Sequence, residues 1–317
     1  MLEISFITVV GQILLPLALG IRLWRVACSR RVEWFLNALS VAAYLALIAV
    51  VGIWLLVPWY MPYGFALMAL AAAAASWRRS GRSFPPCAVR TRAGFRAGCN
   101  RAAMAAFCFV ALVWALSGYL PPGGPAVRLA SPLKNGEFYV VNGGYSILIN
   151  PHLKTLEREP LRAYRGQSYA LDIVKLNRYG LRAQGIWPQD LAGYEIFGEP
   201  LYAPCDGEVL FTENRLPDRV PPEHDRQNPA GNFVYLECGA SGVLLAHLMQ
   251  SSVAVAPGDR VREGQQIGRV GNSGYSTEPH LHIHAQRGGG ADFLAADPLP
   301  LQVAGRTLVR NSRIDAR

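Results

Sequence analysis

The stretch Gly271–His284, GNSGYSTEPHLHIH, decides how the second half of this chain is read. Its opening is glycine, serine and asparagine, a turn composition, and after Pro279 histidine alternates with aliphatic residues. Residues two apart in a strand share a face, so His280, His282 and His284 project to one side. Three imidazoles on one face crowd their charge, and metal binding is the simplest common purpose for them.

The same pattern of short β-branched or aromatic runs cut by glycine continues upstream. It is seen in EFYVVNGG (137–144), YALDIV (169–174), GEVLF (207–211), NFVYLEC (232–238), VLLAHL (243–248) and QQIGRVG (265–271). It predicts a mostly antiparallel β domain over 141–317, long enough for its own core, entered through a linker and first strand at 121–140. That linker opens on the proline- and glycine-rich PPGGPAVRLA. A catalytic zinc takes three histidine or carboxylate ligands and leaves one position for water. Asp172 is the candidate carboxylate, because an unpaired acid in an apolar strand would be costly to bury; the alternative is a salt-bridged core aspartate. Cys205 and Cys238 are either a disulfide between neighbouring strands or two buried thiols. His224, in the polar insertion PPEHDRQNPAG, reads as a solvated loop residue.

Residues 1–120 are of another kind. The 317 residues are 51% hydrophobic and 17% charged, too apolar for one ordinary soluble domain. The net charge of +9 is confined to 1–120, where eleven arginines face only Glu3 and Glu33. This excess lies between hydrophobic runs instead of forming a patch on a folded domain, so nucleic-acid binding is excluded and the charge reads as a topology signal. Four uncharged stretches, Ile4–Ile21, Ala38–Val57, Met61–Ser76 and Ala102–Leu120, predict about four transmembrane helices. Met61–Ser76 is the weakest, being short and rich in alanine. Arginine-rich loops follow the first stretch (Arg22–Arg31) and the third (Arg78–Arg101). The positive-inside bias puts both in the cytoplasm, and the N-terminus and everything after Leu120 outside, in the periplasm or exterior of a bacterial inner membrane. The segment MLEIS has no positive n-region, so the first stretch reads as a retained anchor. Trp54, Trp59, Tyr60 and Tyr119 read as interfacial aromatics. With no ionisable residue inside a span, transport has no support.

The segment from about Gly143 to Ala285 resembles the lysostaphin-type, or LytM-type, zinc metallopeptidases. The matching elements come in order: ALDIV around Asp172, then Ala203-Pro204-Cys205-Asp206-Gly207-Glu208-Val209, Gly231-Asn232, and Ala246-His247-Leu248. They continue through V-x-x-GD-x-V-x-x-GQ-x-IG from Val255 to Gly268 and close on Gly271–His282. The resemblance implies zinc ligands at Asp172 and His282, with His247 and His280 lining the water: His280 as general base, His247 orienting or polarising the substrate. It also implies hydrolysis of peptide bonds, most commonly those of peptidoglycan cross-links.

One departure matters. The family's first ligand is usually a histidine four residues before the aspartate, and here that position is Ser168, which cannot replace it. His152, in Asn150-Pro151-His152, is the substitute, since QSYALD with a preceding Asn-x-His resembles a membrane-anchored branch with a QxYALD segment. His284 has no fixed role in the family pattern and reads as structural or as a support for a ligand. Two rivals stand beside the enzyme: an inactive relative that activates cell-wall amidases or binds the wall, and a biotinyl/lipoyl-like adaptor suggested by the glycine-rich middle. The histidine cluster fits neither as well.

Overall fold

In the computed structural model, residues 8–26, 28, 30–80, 92–288 and 292–316 are described. They form two compact units, Met1–Ile53 with Trp59–Leu116, and Trp54–Pro58 with Ser117–Arg317.

The first unit is helical: α1 (Leu15–Arg25), α2 (Arg31–Val51), α3 (Met61–Ser80) and α4 (Arg92–Ser117). Among the described residues two helices are long and apolar enough to cross a bilayer, Arg31–Val51 and Phe95–Ser117, where the sequence predicts four. The first expected span is broken into a π-helical turn, Val10–Leu14, and the eleven-residue α1 that opens around Pro16. Its start at Ile4 lies outside the described residues, as do Arg82, Arg90 and Cys87. The third is long enough, at 20 residues, but its alanine run is only mildly apolar and the helix ends in Trp-Arg-Arg-Ser. Trp54, expected at a membrane interface, is instead buried at 1% exposure and groups with the second unit.

The second unit is built on a nine-stranded antiparallel sheet. Its strands are β2 (Glu137–Asn142), β3 (Leu171–Leu176), β5 (Gly207–Glu213), β6 (Asn232–Cys238), β7 (Ser241–Leu248), β8 (Arg260–Val261), β10 (Leu281–Arg287), β11 (Pro298–Leu299) and β13 (Arg313–Asp315). The order is β13-β2-β3-β10-β7-β6-β5-β8, with β11 also paired to β10. Two small pairs flank it: β1 (Val127–Leu129) with β12 (Leu301–Val303), parallel, and β4 (Pro200–Tyr202) with β9 (Gln266–Arg269), antiparallel. The expected fold class, a mostly antiparallel β domain, is the one observed.

Alternation sorts the two faces of the central strands. Leu281, Ile283 and Ala285 of β10, Leu171 and Ile173 of β3, and Val243 and Leu245 of β7 enter the main core. His282, His284 and Asp172 take the opposite face and are nevertheless buried. Cys205 and Cys238 form a disulfide with Cα atoms 6.0 Å apart, joining the approach to β5 to the end of β6.

Candidate metal centre

Register places the first two groups. β10 pairs β3 with His282 directly opposite Asp172, and His282 Nδ1 lies 3.0 Å from Asp172 Oδ1. His152 arrives from outside the sheet, on a 3-10 turn, Pro151–Leu153, capped by Asn150. Its Nε2 lies 3.6 Å from Asp172 Oδ2. One ligand atom from each of His152, Asp172 and His282 lies within 4.8 Å of the others.

Hydrogen bonds outside this cluster decide which ring nitrogens are bare. Asn150 Nδ2 donates to the carbonyls of Gly144 and Ala170, which turns its Oδ1 toward His152. His152 Nδ1–H then donates to that oxygen at 2.9 Å, leaving Nε2 bare. On the far side, His284 Nε2–H donates to the Phe293 carbonyl at 3.3 Å, so its Nδ1 accepts His282 Nε2–H at 3.1 Å. His282 therefore turns a bare Nδ1 toward a carboxylate. Asn142, brought opposite Asp172 by a register shift in β2, donates Nδ2–H to Asp172 Oδ2 at 2.8 Å, and Arg310 in turn donates to Asn142 Oδ1 at 2.7 Å.

Burial pushes the His152 imidazole down to about 4 and lowers His284 well below the ordinary range. For Asp172 burial alone would raise the carboxyl, but the imidazoles of His152, His280 and His282 outweigh it and hold the group well below the usual range. Two imidazoles converging on an ionised carboxylate, each with its other nitrogen committed elsewhere, are a donor set that fits a divalent cation. Two histidines and one carboxylate is a ligand set suited to zinc with an open fourth position.

Ser168 is not one of this group. It is fully buried, shares a 2.9 Å hydrogen bond with Thr155 Oγ1 and donates to the Arg165 carbonyl. Thr155 Oγ1 in turn donates to the His152 carbonyl at 2.7 Å, so the serine helps prop the turn that carries His152.

His247 and His280 stand beside the cluster, their ring centroids 4.8 Å apart. Simple alternation along β7 would send His247 into the core with Leu245. A bulge against β6 prevents this: Ala246 pairs Phe233 and Leu248 pairs Asn232, leaving His247 as the extra residue with φ of 63°. The left-handed backbone costs about 1–2 kcal/mol for a non-glycine residue and turns the ring toward His282, at 5.7 Å between centroids. His247 Nδ1–H donates to the Ser273 carbonyl at 2.9 Å. His280 Nδ1–H donates to the Glu278 carbonyl at 2.9 Å, and its Nε2 lies 3.6 Å from Asp172 Oδ1. Both rings thus present a bare Nε2, and burial lowers His247 well below its ordinary value, keeping it neutral. In this tautomer His247 Nε2 is a hydrogen-bond acceptor. The loop behind them fits only glycine: a Cβ on Gly274, at φ of 79°, would meet the Gly231 nitrogen at 2.4 Å. His224 is away from the cluster, edge-on to exposed Tyr275 at 4.5 Å.

The sequence reading names the five central residues but not Asn142, Arg310 or the link from His284 to Phe293. Asn150 alone carried a signal, standing two residues before a histidine as an N-cap residue does.

Residues 189–292 match peptidase family M23. The chain is 47% identical over 159 residues to the glycyl-glycine endopeptidase ALE-1 of Staphylococcus capitis, covering 48% of this chain and 40% of that protein. It is 36% identical over 86 residues to the peptidoglycan DD-endopeptidase ShyA of Vibrio cholerae, covering 27% of this chain and 17% of that protein. The chain thus spans less than half the length of these relatives. The catalytic domain of lysostaphin from Staphylococcus simulans aligns at 27% identity over 37% of this chain and 85% of that one, with a TM-score of 0.25.

Proposed function

From the premise that residues 189–292 belong to peptidase family M23, we propose that this chain is a membrane-anchored zinc metalloendopeptidase that cleaves peptide cross-links of peptidoglycan. The observation that carries the reading is the convergence of His152 Nε2, Asp172 and His282 Nδ1, with each histidine's other nitrogen already committed. His152, Asp172 and His282 would hold the ion. Zinc, when bound, supplies Lewis acidity that lowers the pKa of water to about 7 and polarises a carbonyl.

The protein does the rest. His280, with Nδ1–H held by Glu278, offers Nε2 as the base that takes a proton from the attacking water and returns it to the leaving amine. His247, held through Nδ1 by Ser273, offers a second acceptor that orients the water. Asn142 and Arg310 keep the Asp172 carboxylate in place from behind.

The relatives support the substrate class, since one is named a glycyl-glycine endopeptidase and another a peptidoglycan DD-endopeptidase. The two apolar helices support an anchor in a lipid bilayer, and Arg96 and Arg101, near the N-terminal end of the second, favour a cytoplasmic start for it with residues after Ser117 outside.

The test is hydrolysis. The full chain in detergent, loaded with zinc, is expected to release uncross-linked peptides from cross-linked peptidoglycan, with release abolished by a chelator and restored by zinc; the fragment masses identify the bond. A zinc-loaded chain that releases nothing, or release indifferent to chelator, would overturn the proposal.

A further inference from the structure

The Glu278 carbonyl that orients His280 is itself held in place by an ion pair that the reaction does not otherwise use. Arg182 is buried at 3% exposure. Its Nε lies 3.0 and 2.9 Å from the two oxygens of Glu278, and its Nη2 donates to Oε2 at 2.8 Å. Two further guanidinium protons go to main-chain carbonyls, one on Nη2 to Ile186 at 3.1 Å and one on Nη1 to Leu55 at 3.0 Å. Leu55 belongs to Trp54–Pro58, the short segment between α2 and α3 in sequence that groups with the β unit.

Glu278 is thereby fixed through its side chain. Its main chain is fixed on the other side by Pro279, whose ring locks φ, and its carbonyl also lies 2.8 Å from Ser276 Oγ. His280 keeps 16% side-chain exposure, and its Nδ1–H is held by that carbonyl at 2.9 Å, with Ser276 Oγ 3.1 Å from the same nitrogen. A guanidinium satisfied at both ends of its fork is rigid in a way an ammonium is not.

We infer that Arg182, through Glu278, is a positioning residue for His280, and that Leu55 completes its grip. The inference rests on His280 acting as the base in the proposed reaction. Removing a partner of a buried ion pair also threatens folding, so the informative variants are graded. In the full chain, Arg182→Lys keeps the charge and loses the fork, Glu278→Gln keeps the shape and loses the charge, and Arg182→Met loses both.

The expected result is a fall in kcat of about 10-fold for Arg182→Lys and about 100-fold for Arg182→Met, with KM within about twofold. Zinc per chain stays at the wild-type value. The proton on His280 Nδ1, followed by nitrogen-resolved NMR, exchanges faster in the same order. Unchanged kcat and unchanged exchange in both Arg182→Lys and Glu278→Gln would overturn the inference, as would losses that appear only together with loss of zinc. Should the wild-type chain bind zinc and cleave nothing, the proposed activity fails instead, and the exchange series alone decides the positioning: faster exchange supports it, unchanged exchange overturns it.

Discussion

His282→Ala is expected to leave the chain without zinc and without turnover. The residue stands opposite Asp172 in the β3–β10 register, and its Nδ1 is one of three atoms available to the ion. Loss of a partner that merely supports a ligand costs about 10–100-fold in metal affinity, so loss of a ligand itself should exceed about 100-fold. The substitution also empties a buried site, at 5% exposure, and leaves His284 Nδ1 without the proton it accepts. A moderate fall in melting temperature is therefore expected, and the folded fraction must be measured beside zinc content and peptide release. A folded variant that keeps one zinc would remove His282 from the ligand set.

His280→Ala is expected to do the opposite with the metal. His280 lies outside the three-ligand group, and its bare Nε2 stands 3.6 Å from Asp172 Oδ1. Zinc should remain at the wild-type stoichiometry while kcat falls by about 10²–10⁴, the usual worth of a positioned acid or base. The stability cost should be small, because the ring is partly exposed and its removed hydrogen bond is to a carbonyl that Ser276 also approaches. Zinc loss in His280→Ala with zinc kept in His282→Ala would reverse the two roles.

The contrast between these variants shows what was legible in the sequence. Alternation in HLHIH put three histidines on one face, and the structure agrees because β10 is a central strand with its aliphatic residues in the core. Which carboxylate they meet was not written locally: Asp172 stands opposite His282 through pairing across 110 residues. His247 ran against its own periodicity, since only the bulge between Asn232 and Phe233 turns its ring to the site. The Arg182–Glu278 pair spans 96 residues and carried no local signal at all. Among the described residues of the N-terminal half two helices qualify as spans where hydropathy reads four, because a π-turn shortens the first helix and the alanine run leaves the third only mildly apolar. Ser168 is the instructive case of a departure from a family pattern: the missing histidine was plain, but the serine's part in propping the His152 turn through Thr155 needed the fold.

The most direct test of the central claim, that His152, Asp172 and His282 together hold one zinc, is the zinc content of three versions of the full chain by elemental analysis. The wild type and Ser168→Ala should each carry about one zinc per chain, and His152→Ala should carry almost none under the same dialysis. Full zinc in a folded His152→Ala would contradict the account.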